Sequence, residues 1–156
     1  MAAQTVSLRK VRLNSQMTGM QGVYLVAAEL TRRDLIVSPT SRSSYGAHLL
    51  VTDQKCIRAW SVQVKTNAGH PNFWLLNRHS TETKSASHIY VLVNLGQRKP
   101  TRDPVFYVVP SRVLAARMRP TPPRGSTGSI FYAIYRDEVL KYKGRWTVFR
   151  GARNLD

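Results

Sequence analysis

Residues 57–66 constrain the fold more than any other stretch of this chain. A strand sends successive side chains to opposite faces, so Val62 and Val64 point one way while Gln63 and Lys65 point the other. A second short apolar run, 47–52, lies just upstream, and the polar turn Asp53-Gln54-Lys55 joins the two. Two strands meeting through so short a connection fix the start of a sheet.

The rest of the chain is organised around that pair. Upstream, Val23, Val26, Ala27 and Leu30 recur at helical spacing, which predicts a helix over 18–33 with Thr18 as its N-cap and Arg32 and Arg33 at the favourable C-terminal end. Gly19 and Gly22 weaken its first turn. Residues 35–39 read as a short strand and 40–46 as a turn-rich loop. Downstream, 73–76 and 88–94 are expected to continue the sheet, with a polar loop over 77–87. A strand over 105–109 leads through Pro110 into a helix ending at Met118. Segment 119–129, rich in Pro and Gly, reads as a flexible loop. Residues 130–134 form a strand and a helical turn follows from Asp137 to Gly144. The expected organisation is a basic N-terminal arm (1–16), an α/β core (17–118), the loop, and a C-terminal extension (130–156) packed on the core.

Composition narrows the function classes. The chain has 156 residues, enough for one domain with a core, and 24 Lys and Arg against 8 acidic residues give a net charge of +16. A field this positive favours a polyanion, and nucleic acid fits better than anionic lipid because no basic amphipathic helix with a wide apolar face stands out. No stretch approaches the roughly 20 apolar residues of a membrane helix. The N-terminus lacks a signal-peptide core, so a cytoplasmic location and no membrane partner are expected. The single cysteine, Cys56, excludes an internal disulfide and reads as a buried structural thiol.

Four segments in order, 19–33, 46–51, 62–67 and 106–111, resemble a small bacterial branch of the PD-(D/E)xK nuclease superfamily. The resemblance covers about two thirds of the chain, residues 17–118. It implies a restriction-endonuclease-like fold, a central mixed sheet flanked by helices. It further implies an endodeoxyribonuclease, divergent or catalytically weakened, or a non-catalytic module that keeps the fold and binds DNA or structured RNA. The resemblance places a metal-binding Asp at the start of the second core strand, where this chain has His48. It places the site-completing Glu or Gln at Gln63 and the catalytic cation at Lys65. An acidic residue often present on the first helix corresponds to Val23. A divalent metal, Mg²⁺ or Mn²⁺, is implied if the site is active and none if it is degenerate. By analogy with junction resolvases, a homodimer is implied as well.

The chemistry of these residue types bears on that expectation. Phosphodiester hydrolysis needs a metal to polarise phosphate and acidify its water, plus a cation for developing charge. Mg²⁺ wants oxygen ligands with carboxylates among them, whereas His48 offers nitrogen and Gln63 a neutral carbonyl. Two readings of His48 stand: a nitrogen ligand for a softer metal, or a histidine hydrogen-bonded at the sheet end or to phosphate. Lys65 serves as catalytic or as binding cation, and Gln63 as a backbone-contacting or an ordinary sheet amide. Asp53, at odd spacing from His48, points to the opposite face. Glu29, about 240° round the helix from Val23, pairs with Arg32 or Arg33 instead. Arg42 is a candidate phosphate clamp and Tyr45 a candidate stacking residue in the loop beside His48, with Thr66 and Asn67 positioning the backbone. Phe73 and Trp74 read first as core and second as a stacking pair. His70, His79 and His88 show no metal-ligand spacing, and no acidic partner makes a triad of His79 and Ser80.

Overall fold

The computed structural model describes residues 15–41, 46–68, 72–96, 103–122, 130–150, 152, 153 and 155, together with the backbone of 2–14. Its first element is one long helix, α1 (Ala2–Thr31). The N-terminal segment expected to be an arm is therefore helical, and Thr18 lies inside the helix rather than capping it. The physical reason is propensity: no glycine or proline occurs before Gly19, and Ala, Leu, Arg, Lys, Gln and Met dominate. At the other end Asp34 takes a left-handed conformation (φ 63°) and the Leu35 N–H donates back to Leu30 O, which closes the helix.

The chain then forms β1 (Ile36–Pro39), β2 (Leu49–Thr52) and β3 (Ala59–Asn67), an antiparallel meander. β4 (Phe73–Leu76) and the single turn α2 (His79–Glu82) lead across to β5 (His88–Asn94), which runs parallel to β3. β6 (Val105–Pro110) completes a mixed five-stranded sheet in the order β1-β2-β3-β5-β6. After α3 (Ser111–Arg117), the strands β7 (Arg119–Pro120) and β8 (Tyr132–Tyr135) join β4 in a separate three-stranded sheet ordered β4-β8-β7, and α4 (Arg136–Val139) follows. The α/β class with a mixed sheet and flanking helices is as expected, and the strand positions are close to those read from the sequence. The expectation that 73–76 continues the main sheet is corrected, since β4 pairs with β8 instead. Part of 77–87 is the helix α2, and the start of 119–129 is β7, while residues 123–129 lie outside the described residues.

Two cores follow from the pleat. On one face of the main sheet Leu49, Val62, Val64, Ile89 and Val91 pack beneath Val23, Val26 and Leu30 of α1. Trp146 and Phe149 close this layer: Phe149 meets Trp60 edge-on at 5.6 Å, and the buried Arg33 stacks on Trp146 at 4.8 Å. At Gly22 the helix lies close against β3, because a Cβ there would meet Thr66 Cβ at 2.9 Å. The glycine that weakens the helix on propensity is thus required by packing. On the opposite face Tyr90, Leu92, Tyr107 and Val109 pack against Trp74, Leu76 and Ile134 of the second sheet. Trp74 is core, 1% exposed, with its indole N–H donating to Val93 O. This second layer covers the β5–β6 half of the sheet, and on β2 Leu50 is left 53% exposed.

Candidate phosphate-binding site

The polar face of β3 carries Ser61, Gln63, Lys65 and Asn67, all half-buried, at the boundary between the covered and uncovered halves of the sheet. β2 begins at Leu49, and His48 just before it ends the pairing: its own N–H donates to Val62 O (2.8 Å) and its carbonyl accepts from Thr40 N–H (3.0 Å). The next inward amide on β3, Val64 N–H, has no β2 carbonyl opposite it and donates instead to His48 Nδ1 at 3.0 Å. The side chain thus completes the ladder where the backbone stops.

That hydrogen bond fixes the ring's chemistry. A neutral imidazole has one donor and one acceptor nitrogen, so an accepting Nδ1 puts the proton on Nε2. Burial, followed by the neighbouring Lys65 charge, holds the His48 pKa below its ordinary value, which favours this neutral form. Burial likewise pushes the Lys65 ammonium below its ordinary value. Gln63 Oε1 is buried and accepts no hydrogen bond from any described residue, so this amide is not an ordinary satisfied sheet amide.

These donors do not fit the divalent metal that the resemblance implies. Ligation through His48 Nε2 would require its proton to move to Nδ1, setting two N–H groups against each other across 3.0 Å. Gln63 contributes one neutral oxygen, and Lys65 is a cation in the same site. Six of the seven described carboxylates are engaged elsewhere. Glu29 pairs with Arg32 and Arg33, as its spacing predicts. Asp34 pairs with Arg153, Glu82 with Arg78, Glu138 with Arg119 and Asp137 with Arg136. Asp53, read as pointing off a strand, sits in the β2–β3 turn and accepts from the Ile57 and Arg58 amides. Among the described residues no cluster of three or more His, Cys, Asp or Glu could hold a metal ion.

His48 and Lys65 are brought together, and Gln63 shares Lys65's face of β3, but Thr66 and Asn67 do not join them. Thr66 faces α1, with its hydroxyl buried against Gly22. Asn67 Nδ2 donates to Phe73 O and its carbonyl accepts from Leu95 N–H, tying β3 to the segments beside it. Arg42 and Tyr45 lie outside the described residues, as does His70. Cys56, expected to be buried, is exposed in the β2–β3 turn at φ 54°. Sequence reasoning missed His88, which is buried at the start of β5, hydrogen-bonded through Nδ1 to Ser61 Oγ at 2.6 Å and set edge-on to Tyr90 at 4.9 Å. Burial, and then the charge of His79, lowers its pKa. A polar–polar pairing between parallel strands leaves no local signal, because Ser61 and His88 are distant in sequence.

No protein-family model matches the chain, and no curated protein matches it. Among the described residues no helix is long and apolar enough to cross a membrane.

Proposed function

We propose that this protein binds DNA by its phosphates through His48 and Lys65, on a core of the PD-(D/E)xK nuclease type that has lost metal-dependent cleavage. The observation that carries this reading is the Val64 N–H bond to His48 Nδ1. It turns the residue at the expected metal position into a fixed hydrogen-bond donor, Nε2–H, beside a half-buried lysine. A donor and a cation suit phosphate oxygens and do not suit a metal ion. The order of elements supports the nuclease-type core: a long helix, His48 before the second strand of a mixed sheet, and Gln63 and Lys65 on the next strand. The net charge of +16 supports a polyanionic ligand.

Fluorescence anisotropy with labelled DNA, in EDTA and in Mg²⁺, tests the proposal. Binding is expected in EDTA, undiminished by the absence of metal, and Lys65→Ala is expected to weaken it about 10-fold while lowering the salt slope by about 1. Supercoiled plasmid incubated with the protein in Mg²⁺ or Mn²⁺ is expected to stay intact. Cleavage by the wild type that disappears in Lys65→Ala would establish a working nuclease and overturn the loss of catalysis. Preference for a structured RNA competitor over every DNA form would overturn the choice of DNA.

A further inference from the structure

A groove opens beside His48. It is an open cleft of about 610 Å³ between α1 and the end of β1, with Val64 and His48 at its base and Pro39 on one side. Its helical wall includes Met17, Met20 and Tyr24, spaced so that all three share one face, together with Ser15 and Gln16. These side chains are 67%, 36% and 62% exposed, so they offer apolar surface to a ligand on one side of the helix. The described lining contains no acidic residue.

Charge and shape together select the occupant. The cleft is mostly apolar, with one aromatic ring and two adaptable thioethers beside Ser15, Gln16, Thr40 and Ser41 in its lining, and at its base stands His48, which lies near enough to Lys65 to feel its charge. A ligand that matches has a planar apolar body and an anionic group a few bonds away, which describes a nucleotide. A perfect duplex cannot use the cleft, since its bases are stacked on one another and present only their edges. A second copy of this chain is disfavoured because it would bring +16 against +16, with no acidic residue before Glu29 on the helix that forms the wall. A neutral apolar peptide would leave His48 Nε2–H and Lys65 unmatched.

We infer that the groove receives an unpaired base, stacked on Tyr24 with its phosphate at His48 and Lys65, so that single-stranded or locally opened DNA is the preferred ligand. This rests on the phosphate-binding reading of His48 and Lys65.

The test measures anisotropy for one oligonucleotide sequence as a single strand, as a duplex with an unpaired bulge, and as a perfect duplex, in EDTA. The single strand and the bulged duplex are expected to bind at least about 5-fold tighter than the perfect duplex. Tyr24→Ala is expected to weaken binding to those two forms by between about 5-fold and about 150-fold, to leave the perfect duplex unchanged, and so to erase the preference. Tyr24→Phe, which keeps the ring, is expected to restore it. Because Tyr24 is exposed, the melting temperature of Tyr24→Ala is expected to match the wild type, which separates lost stacking from lost fold. Equal affinity for all three forms, with Lys65→Ala still weakening each, would overturn the base-binding groove and leave the phosphate site standing. No binding to any form would overturn both. A dimer that Tyr24→Ala converts to monomer in sedimentation equilibrium, with the DNA preference untouched, would make the groove a contact between copies and overturn the inference.

Discussion

The two faces of β3 share nine residues and one backbone yet do opposite work. Toward α1, Trp60, Val62 and Val64 are 8%, 0% and 3% exposed in a dry, closely packed core. Away from α1, Ser61, Gln63, Lys65 and Asn67 are half-buried and polar, and Gln63 Oε1 accepts no hydrogen bond from any described residue. The difference is in what lies over each face. The helix with the C-terminal aromatics covers most of the first, whereas the second sheet covers the other only over β5 and β6. A strand anchored so firmly on one side tolerates desolvated polar groups on the other, which is what a site for an anionic ligand requires.

The sharpest way to break this division is on the dry face. Leu30→Ala, at a fully buried position of α1, is expected to destabilise the protein by about 2–5 kcal/mol in urea unfolding. Gly22→Ala, which pushes a methyl into Thr66, is expected to cost about 1–3 kcal/mol despite the better helix propensity of alanine; a stabilised variant would show that α1 is not held this close to β3.

On the polar face the expected effects fall on binding and on pH more than on stability. Lys65→Met removes a desolvated charge and keeps the aliphatic stem, so DNA affinity is expected to fall about 10-fold while the urea midpoint holds or rises. A lower midpoint would mean that the ammonium has a stabilising partner. His48 and His88 both have pKa values held below the ordinary 6.5, so the unfolded chain takes up protons first. Stability is therefore full above the ordinary value and falls as pH drops through it. Melting temperatures between pH 7 and pH 5 are expected to decline, with a shallower decline in His48→Asn and the remainder due to His88. The smallest and most discriminating contrast is between two amides at position 48. Asparagine keeps an acceptor where Nδ1 stands, and glutamine keeps a donor where Nε2 stands. His48→Asn is expected to preserve stability and lose affinity, and His48→Gln to do the reverse. Identical behaviour of the two would remove the distinct roles assigned to the two ring nitrogens.

Local signals carried a good part of this molecule. The alternation at Val62–Lys65, the apolar runs that became β5 and β6, the helical spacing of Val23, Val26 and Leu30, and the Glu29 pairing with Arg32 and Arg33 all depend on residues a few positions apart. The backbone's own periods expose such patterns directly. The N-terminal extent of α1 was hidden because propensity without an apolar stripe resembles a solvated arm. Tertiary structure alone decided that β4 leaves the main sheet for β8, that Gly22 admits Thr66, that Ser61 meets His88, and that His48 takes the Val64 amide. Each of these joins segments whose pairing follows from which surfaces must be buried together and which backbone groups are left without a partner. The sequence by itself determined that a histidine stands where a metal-binding aspartate was expected. Only the fold determined which of its two nitrogens is free to act, because that depends on an amide sixteen residues away in the chain.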